Sequence, residues 1–363
     1  MTRLILTNFI KRVFGIKRLQ LKVWSILFLM GIQSLSFAGE TTVLVFIIDG
    51  FQSDAAKVAV NNGAENLKFL IENGVCVEEA YSTSPAPRMY LPDGSLPWGT
   101  TSSPNVSIHT GTHVFESRQM DDIFLSARRA NIKSVFAGGA ENYKEFTTSD
   151  FCYYGQLTDS VVVQYGIDHF KNDGVRLIRL HLQRIRDSWS GPADKLNPDS
   201  KYQQDIQKVD ILLGKLIQTF ESEGVWDSTY IITAADHGMG ISERSNHPPS
   251  VSSSWSIFMN FYGPGIKKGI SIPYAETPDL AIMINYFFNL EPLQGHTDPA
   301  VTIEPGSTTG TFLSNIFEGN PTELKHPKFI RRYLESKNWQ PSDNYEEYRM
   351  AMLSFIKELV SKK

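Results

Sequence analysis

The sequence predicts an α/β fold in which helices cover a mostly parallel sheet. Two apolar runs support this prediction, because each is rich in β-branched residues and each ends in polar side chains. The run at residues 230–240 stops at Asp236 and His237, and the run at residues 43–50 stops at Asp49. Runs of this kind are typical of strands that are buried on both faces of a parallel sheet.

The remaining elements follow from hydrophobic periodicity. Apolar residues that recur every three or four positions predict helices, and short β-branched runs between turn residues predict strands. A helix followed by a strand is expected within residues 122–137, and residues 146–159 are expected to be a polar, aromatic surface stretch. The other predicted strands are 75–81, 175–182 and 255–262, and the other predicted helices are 55–73, 160–172, 202–224, 277–289 and 345–360.

Residues 1–38 have the pattern of a secretory signal peptide. A basic region precedes a short apolar segment at residues 24–31, and Ser36 and Ala38 form a small-x-small cleavage site before Gly39. We therefore expect cleavage after Ala38, no membrane span in the mature protein, and a periplasmic or secreted bacterial location. An uncleaved membrane anchor is the alternative.

The rest of the chain divides into two predicted domains. Residues 39–305 are expected to form a catalytic domain, and residues 306–363 a C-terminal helical appendage without its own chemistry. The 363 residues are 41% hydrophobic and 20% charged, which is ordinary for a globular protein. The net charge of -4 argues against a nucleic-acid partner that is bound by bulk electrostatics. Cys76 and Cys152 can pair in an oxidising compartment, or each can be a small buried apolar residue.

Two acids and a histidine at strand ends predict a metal site. Asp49, Asp236 and His237 each follow a predicted strand directly. The carboxyl ends of parallel strands meet at one edge of a sheet, which is where open α/β sheets bind ligands. Carboxylate and imidazole ligands suit zinc or manganese. The alternative for Asp49 and the glycine after it is an ordinary turn.

A hydroxyl-rich stretch at residues 101–103 leads into a predicted helix. It can present a side-chain oxygen and backbone N–H groups to an anion, or it can simply cap the helix. Four motifs follow one another along the chain, and the second begins within this stretch. They are Ile-Ile-Asp-Gly at 47–50, Ser-Pro-Asn at 103–105, Ala-Asp-His-Gly-Met at 235–239, and a later histidine before Gly-Pro-Gly at 263–265.

This order resembles the alkaline phosphatase superfamily, in its type I phosphodiesterase and nucleotide pyrophosphatase branch. The resemblance covers roughly residues 41–299. It implies an alkaline-phosphatase-like three-layer αβα sandwich around a mostly parallel sheet. It also implies a two-zinc centre and the hydrolysis of a small phosphate ester.

The resemblance also assigns roles to individual residues. It implies that Ser102, three residues before Asn105, is the nucleophile, although Thr101 and Ser103 flank it and are alternatives. It implies that Asp49, Asp236, His237 and the Ser102 oxygen bind one metal ion. It implies that Asp187 and His247 bind the other. Asn105 and Arg186 are candidate contacts of the substrate, because a guanidinium can bind phosphate bidentately, and the alternative for Arg186 is solvated surface charge.

The sequence departs from the family pattern at two positions. Gly191 stands where the second metal should have a histidine, so His296 or the guanidinium of Arg184 or Arg186 is a possible replacement. We therefore expect one bound zinc ion, with manganese as an alternative, and leave the second ion open. Asp122 stands in the region where the family has an asparagine that holds the phosphate, and an ionised carboxylate there would repel it. His109, His113 and His181 are interpreted as packing residues.

The sequence is compatible with two functions. The first is a secreted metal-dependent hydrolase of phosphate esters. The second is a degenerate family member that binds a ligand or a protein partner without turnover. A sulfatase that uses formylglycine is discounted, because residues 84–88 do not match the C/S-x-P-x-R pattern of that branch.

Overall fold

The computed structural model describes residues 41–83, 102–113, 121–140, 148–241, 247–248, 251–293, 308–339 and 345–360. The side chains of Ser102 and Ser103 lie outside this description. The described residues from 42 onwards fall in one compact unit. The predicted division between residues 305 and 306 stays a prediction. The predicted signal peptide lies outside the described residues.

A nine-stranded mixed sheet forms the centre of the protein. Its order is β4-β3-β5-β1-β6-β8-β2-β7, and β9 pairs with β2. The pairs β1–β5, β1–β6, β3–β5, β3–β4 and β2–β9 are parallel, whereas β8 is antiparallel to β6 and β2. The prediction of a mostly parallel sheet is therefore confirmed. The strands are β1 Thr42–Ile48, β2 Val75–Tyr81, β3 Ser134–Gly138, β4 Phe151–Tyr153, β5 Leu177–Leu182, β6 Thr229–Ala234, β7 Ser256–Ile257, β8 Met259–Tyr262 and β9 Ile270–Glu276.

Helices flank this sheet in two groups. One group is built around the long helix α7, which contacts α1, α2, α5 and α6, and in the other α8 contacts α3 and α4. The helices are α1 Ser53–Asn61, α2 Glu65–Glu72, α3 Ser102–Thr110, α4 Ile123–Arg129, α5 Asp159–Asp173, α6 Arg184–Asp187, α7 Lys201–Ser222, α8 Asp279–Phe287, α9 Phe329–Ser336 and α10 Tyr345–Val360.

Local chemistry explains where these elements differ from the sequence prediction. The single helix expected over 55–73 is two helices, because Gly63 between them has a φ of +99° that a helix cannot contain. Strand β9 was not predicted, since it contains Pro273. Proline lacks an N–H group and is tolerated only at sheet edges, and β9 pairs only with β2 among the described strands.

The C-terminal helices pack against the sheet rather than standing apart from it. Helix α9 was not predicted, and with α10 it encloses a second apolar cluster that includes Tyr81 of β2 and Tyr274 of β9. The fully or nearly fully buried members from these helices are Phe329, Ile330, Tyr333, Leu334, Tyr348 and Met352.

The two cysteines do not pair. Cys76 lies in β2 and Cys152 in β4, towards opposite ends of the sheet order, and both are free thiols. A disulfide would need the two Cα atoms within about 7 Å. Of the helices in the described ranges, none combines the length and the apolar character that crossing a membrane requires.

Candidate metal centre

The candidate site lies at the carboxyl ends of three adjacent strands. Strand β1 pairs with β5 on one side and β6 on the other, and its Ile47 lies opposite His181 of β5. Asp49 follows β1, and Asp236 and His237 follow β6. The side chains of Asp49, Asp236, His237 and His181 are fully buried. The tertiary structure thus brings the strand-end residues predicted from sequence to one place.

Asp49, Asp236 and His237 form a group that can hold a metal ion. Each offers one ligand atom, and these atoms lie within 4.8 Å of one another. His237 Nε2 is 3.2 Å from Asp49 Oδ1 and 3.7 Å from Asp236 Oδ2. None of these three buried atoms has a hydrogen-bond partner in the described part of the chain. Buried acceptors without partners are costly, so the donor set fits a divalent cation.

The hydrogen bond of His237 fixes which ring nitrogen faces the carboxylates. Its Nδ1 lies 2.8 Å from the carbonyl oxygen of Gly238, which can only accept. Nδ1 therefore carries the proton, and in the neutral ring Nε2 presents its lone pair to the two acids. Metal-binding histidines are held in the same way by a partner on the other nitrogen.

Two glycines allow the strand ends to approach each other. Gly50 has a φ of +76°, and a Cβ there would lie 2.6 Å from Met239 Sδ. A Cβ at Gly238 would lie 2.0 Å from the carbonyl oxygen of Ser253. The turns after Asp49 and His237 therefore require residues without side chains.

His181 is a site residue, although from the sequence it is interpreted as a packing residue. Its Nε2 lies 3.6 Å from Asp49 Oδ2 and 3.6 Å from Asp236 Oδ2, and its Nδ1 lies 3.1 Å from Asn105 Oδ1. Burial lowers the pKa of His181 well below its usual range, with Asp236 opposing this shift and Arg179 adding to it. One feature of the sequence could have identified His181 as a site residue. It lies near the carboxyl end of a predicted strand, as Asp49 and Asp236 do.

Helix α3 reaches the site through its first turn. Ser102 begins the helix, and Asn105 is fully buried one turn later. The Oδ1 atom of Asn105 accepts hydrogen bonds from the Arg179 guanidinium and lies against His181. Since His181 contacts both carboxylates, Asn105 links the helix that begins at Ser102 to the candidate metal ligands. A contact between Asn105 and substrate stays a prediction.

Arg186 contacts both a candidate metal ligand and Asp187. Its Nη1 lies 3.2 Å from Asp49 Oδ2, and its Nη2 lies 3.0 Å from Asp187 Oδ1. The side chain of Arg186 is only 20% exposed, whereas that of Asp187 is 62% exposed. A guanidinium therefore places positive charge beside Asp49. Its replacement of the second metal ion stays a prediction.

The predicted second metal site is less complete. The ring of His247 lies against that of His237, with centroids 3.8 Å apart and the planes tilted by 34°. Burial and, less strongly, the neighbouring His237 lower the pKa of His247 well below its usual range. Within the described ranges, the metal-binding group of three comprises Asp49, Asp236 and His237, and neither Asp187 nor His247 belongs to it. His296 lies outside the described residues. The roles of Asp187 and His247 as ligands remain predictions.

Asp122 has a structural role that the sequence reading did not foresee. Its side chain caps helix α4 by accepting hydrogen bonds from the backbone N–H groups of Phe124 and Leu125, at 2.9 and 2.8 Å. Thr148 also donates to it, at 2.6 Å. Burial raises the pKa of Asp122, while these hydrogen bonds oppose the shift. A carboxylate held in this way acts as an N-cap.

The sulfatase family model matches residues 134–279 of this chain. The matched stretch runs from β3 to the start of α8. It contains Asp236 and His237, whereas Asp49 and Ser102 precede it. No curated protein sequence matches the chain.

Three solved structures share the fold. The 4S-sulf protein of Bacteroides thetaiotaomicron glycosaminoglycan metabolism has a TM-score of 0.56 at 13% identity, over 79% of this chain and 78% of its own. The structure of BT4656 with its substrate D-glucosamine-2-N,6-O-disulfate has a TM-score of 0.54 at 12% identity, over 77% and 80%. A protein in the alkaline phosphatase superfamily from Vibrio parahaemolyticus has a TM-score of 0.52 at 12% identity, over 69% and 66%.

The fold is therefore that of the alkaline phosphatase superfamily, and the resemblance inferred from sequence is confirmed at this level. The family match over residues 134–279 is consistent with a hydrolase of phosphate or sulfate esters. The type I phosphodiesterase branch stays a prediction.

Proposed function

We propose that this chain is a secreted, metal-dependent hydrolase of phosphate esters, of the phosphodiesterase or phosphatase type, with Ser102 as nucleophile. The carrying observation is the convergence of three buried ligand atoms, from Asp49, Asp236 and His237, beside the helix that begins at Ser102. The family match supports ester hydrolysis in general.

The metal ligands in this proposal are Asp49, Asp236, His237 and the oxygen of Ser102. Two carboxylates and an imidazole suit zinc, with manganese as an alternative. When bound, such a cation stabilises an ionised hydroxyl and offsets the negative charge of the ester. The Arg186 guanidinium contributes further positive charge, since it lies 3.2 Å from Asp49.

The protein's own residues account for the remaining steps. The Ser102 oxygen attacks phosphorus, the bond from phosphorus to the leaving alcohol breaks, and the departing oxygen takes up a proton. Water then cleaves the phospho-seryl bond and regenerates the hydroxyl. Asn105 and His181 hold the first turn of α3 against the acids. We assign to Arg186 the binding of a phosphate oxygen, which a guanidinium can bind bidentately.

Sulfate esters are the competing substrate class, because the matched family is the sulfatase family. The cysteine distribution favours a serine nucleophile over a modified cysteine. The chain has two cysteines, Cys76 in β2 and Cys152 in β4, and neither follows the strands that carry the site. Assays should therefore compare matched phosphate and sulfate esters.

The decisive experiment is Ser102→Ala, with Thr101→Ala and Ser103→Ala as neighbouring controls. Wild type with added zinc or manganese should hydrolyse bis(4-nitrophenyl) phosphate or 4-nitrophenyl phosphate faster than 4-nitrophenyl sulfate. Ser102→Ala should lower kcat by at least about a thousandfold, as expected for a lost nucleophile. Circular dichroism should show an unchanged fold. Full activity in Ser102→Ala, together with loss of activity in Thr101→Ala or Ser103→Ala, would assign the nucleophile to that neighbouring residue.

We expect about one tightly bound ion per chain rather than two. The reason is that Asp187 and His247 supply only two ligands where zinc sites normally use three or four, and the Arg186 guanidinium lies beside Asp49. Elemental analysis of protein purified without chelators measures this directly. Two tightly held ions would show that a further ligand exists, and His296 would be tested first.

Binding without turnover is the second candidate function. The contact between Arg186 and Asp49 favours it, because the guanidinium can neutralise an acid that a catalytic cation needs. This alternative predicts a wild-type protein that retains metal and hydrolyses none of the three aryl esters. Turnover that disappears in Ser102→Ala would exclude it.

A further inference from the structure

A cavity of about 740 Å³ is linked to the candidate metal centre through the contacts of Asp187 with Arg186 and of Arg186 with Asp49. Its wall contains residues that follow β3, β4 and β5, including Gly139, Gln156 and Gln183. It therefore lies at the same carboxyl edge of the sheet as the strand-end acids. Asp187 also lines it, and the partner of Asp187, Arg186, contacts Asp49. This volume is within the range of small-molecule sites, roughly 300–1,000 Å³.

We propose that this cavity binds the leaving group of the substrate, and that this group is a neutral, polyhydroxylated, sugar-like moiety. The inference rests on the proposed ester hydrolysis and adds the substrate class to it. Three properties of the wall support it: the pairing of its charges, its exposed hydrogen-bonding groups, and the lack of an accessible aromatic face among its described residues.

The formal charges of the wall nearly cancel. Two cations, Arg184 and Lys201, face three acids, Asp159, Asp187 and Asp205. Each of these groups has a partner within the protein. Asp205 is bonded to Lys201 and lies 3.6 Å from Arg184 Nη1, and Asp187 is bonded to Arg186.

The third acid, Asp159, is committed to the backbone. Its carboxylate accepts hydrogen bonds from the N–H groups of Gln183 and Arg184, at 2.9 and 3.2 Å. A second charged group on the leaving alcohol would have to compete with these existing pairs for its partner. A neutral leaving group needs no such rearrangement.

The exposed uncharged groups of the wall are hydrogen-bonding amides and hydroxyls. Asp187 and Lys201 are exposed as well, and each is paired within the protein. Gln156, Thr158 and Ser190 are solvent-exposed members of the wall. Amides and hydroxyls both donate and accept, which matches the hydroxyl groups of a sugar. A fatty acyl chain would instead need an apolar wall.

The aromatic residue of the wall is not a stacking platform. Trp189 is only 2% exposed, and its ring packs edge-on against Tyr202 at a centroid distance of 5.2 Å. A nucleobase is usually held by stacking on an accessible aromatic face. The described wall therefore favours a sugar over a nucleoside as the leaving group that occupies this cavity.

Saturation-transfer NMR on metal-loaded protein tests the proposal without requiring turnover. The probes are D-glucose 6-phosphate, D-glucose 6-sulfate and adenosine 5′-monophosphate. Wild type should transfer saturation to the glucose ring protons of at least one sugar ester. Gln156→Leu should reduce that transfer about three- to tenfold, the effect of one lost neutral hydrogen bond.

Gln218→Leu is the matched control, because Gln218 is exposed on α7 and lies outside the wall. It should leave the glucose signals unchanged. The proposal is overturned if no sugar ester binds, if Gln156→Leu and Gln218→Leu behave alike, or if adenine protons receive more saturation than glucose protons. Sugar binding that survives while no ester is hydrolysed would leave this cavity assignment standing and reject the proposed hydrolysis instead.

Discussion

Two buried clusters of acids and histidines in this protein differ in how their charges are satisfied. The metal centre contains Asp49, Asp236 and His237. The other, which we name the Glu276 cluster, lies between the sheet and the C-terminal helices. Its members are His113, Tyr274, Glu276, Asp279 and His326.

Every carboxylate oxygen of the Glu276 cluster has a hydrogen-bond donor. Glu276 accepts from Tyr274 Oη at 2.6 Å and from the Ile330 N–H at 2.8 Å, and it pairs with His113 Nε2 at 2.5 Å. Asp279 accepts from the Thr311 N–H at 2.7 Å. Its other oxygen accepts from the Glu276 N–H and pairs with His326, both at 2.8 Å.

The metal centre has the opposite property, since Asp49 Oδ1, Asp236 Oδ2 and His237 Nε2 have no such partner in the described residues. Both clusters are buried and both contain two acids with histidine, so these properties do not distinguish a binding site from a structural one. The two clusters differ in whether their buried acceptor atoms already have hydrogen-bond donors within the protein. The Glu276 cluster instead fixes His113, just after α3, to the C-terminal segment.

The largest expected effect separates the two clusters by metal binding. Asp236→Ala with His237→Ala removes two direct ligands, so metal affinity should fall by more than the roughly 10–100-fold seen when outer-shell partners are lost. Elemental analysis should show metal content dropping from about one ion per chain towards zero. Added zinc should also stop raising Tm. Unchanged metal content would contradict the assignment.

The next effect concerns stability. Glu276→Gln breaks a fully buried pair with His113, which should lower the free energy of unfolding by about 3–5 kcal/mol. Urea unfolding of the metal-free protein measures this loss. The metal content of Glu276→Gln, purified without chelators, should equal that of wild type. In the same assay Asp236→Asn should change stability by less than about 1 kcal/mol, because it relieves repulsion with Asp49. Equal losses in both variants would remove the distinction.

The pH dependence of the Glu276 cluster gives a smaller effect. Burial alone would lower the pKa of His326, but Asp279 and, less strongly, Glu276 raise it above its usual range. A raised folded pKa stabilises the protein fully below the unfolded value of about 6.5, and the contribution is lost as pH rises through the folded pKa.

His326→Gln tests that sign. Its destabilisation relative to wild type should be largest at pH near 5.5 and should shrink as pH rises. Urea titrations of both proteins across this pH range supply the comparison. A loss that is independent of pH would show that His326 acts only by packing.

The smallest expected effect concerns Asp122, the acid that sequence placed near the substrate and structure places at a helix start. Asp122→Asn should change stability by less than about 0.5 kcal/mol, because asparagine caps a helix as well as aspartate. Its kcat/KM on aryl phosphates should equal that of wild type. A several-fold gain would instead mean that Asp122 repels the substrate phosphate.

The sequence alone determined the strands that carry the site and three of its residues. Strands β1 and β6 are predicted because long apolar runs stop abruptly at polar residues, and β5 is predicted within residues 175–182. Asp49, Asp236 and His237 followed from those runs, since a ligand directly after a buried strand is a local feature. The superfamily resemblance rested on the same local motifs.

Tertiary structure alone decided the features that depend on distant partners. His181 has an ordinary strand position, and only the pairing of β5 with β1 brings it to the acids. The contact of Arg186 with Asp49 spans more than a hundred residues of sequence, and no local pattern encodes it. Strand β9 and helix α9 escaped prediction because their order comes from packing against β2 rather than from their own propensities.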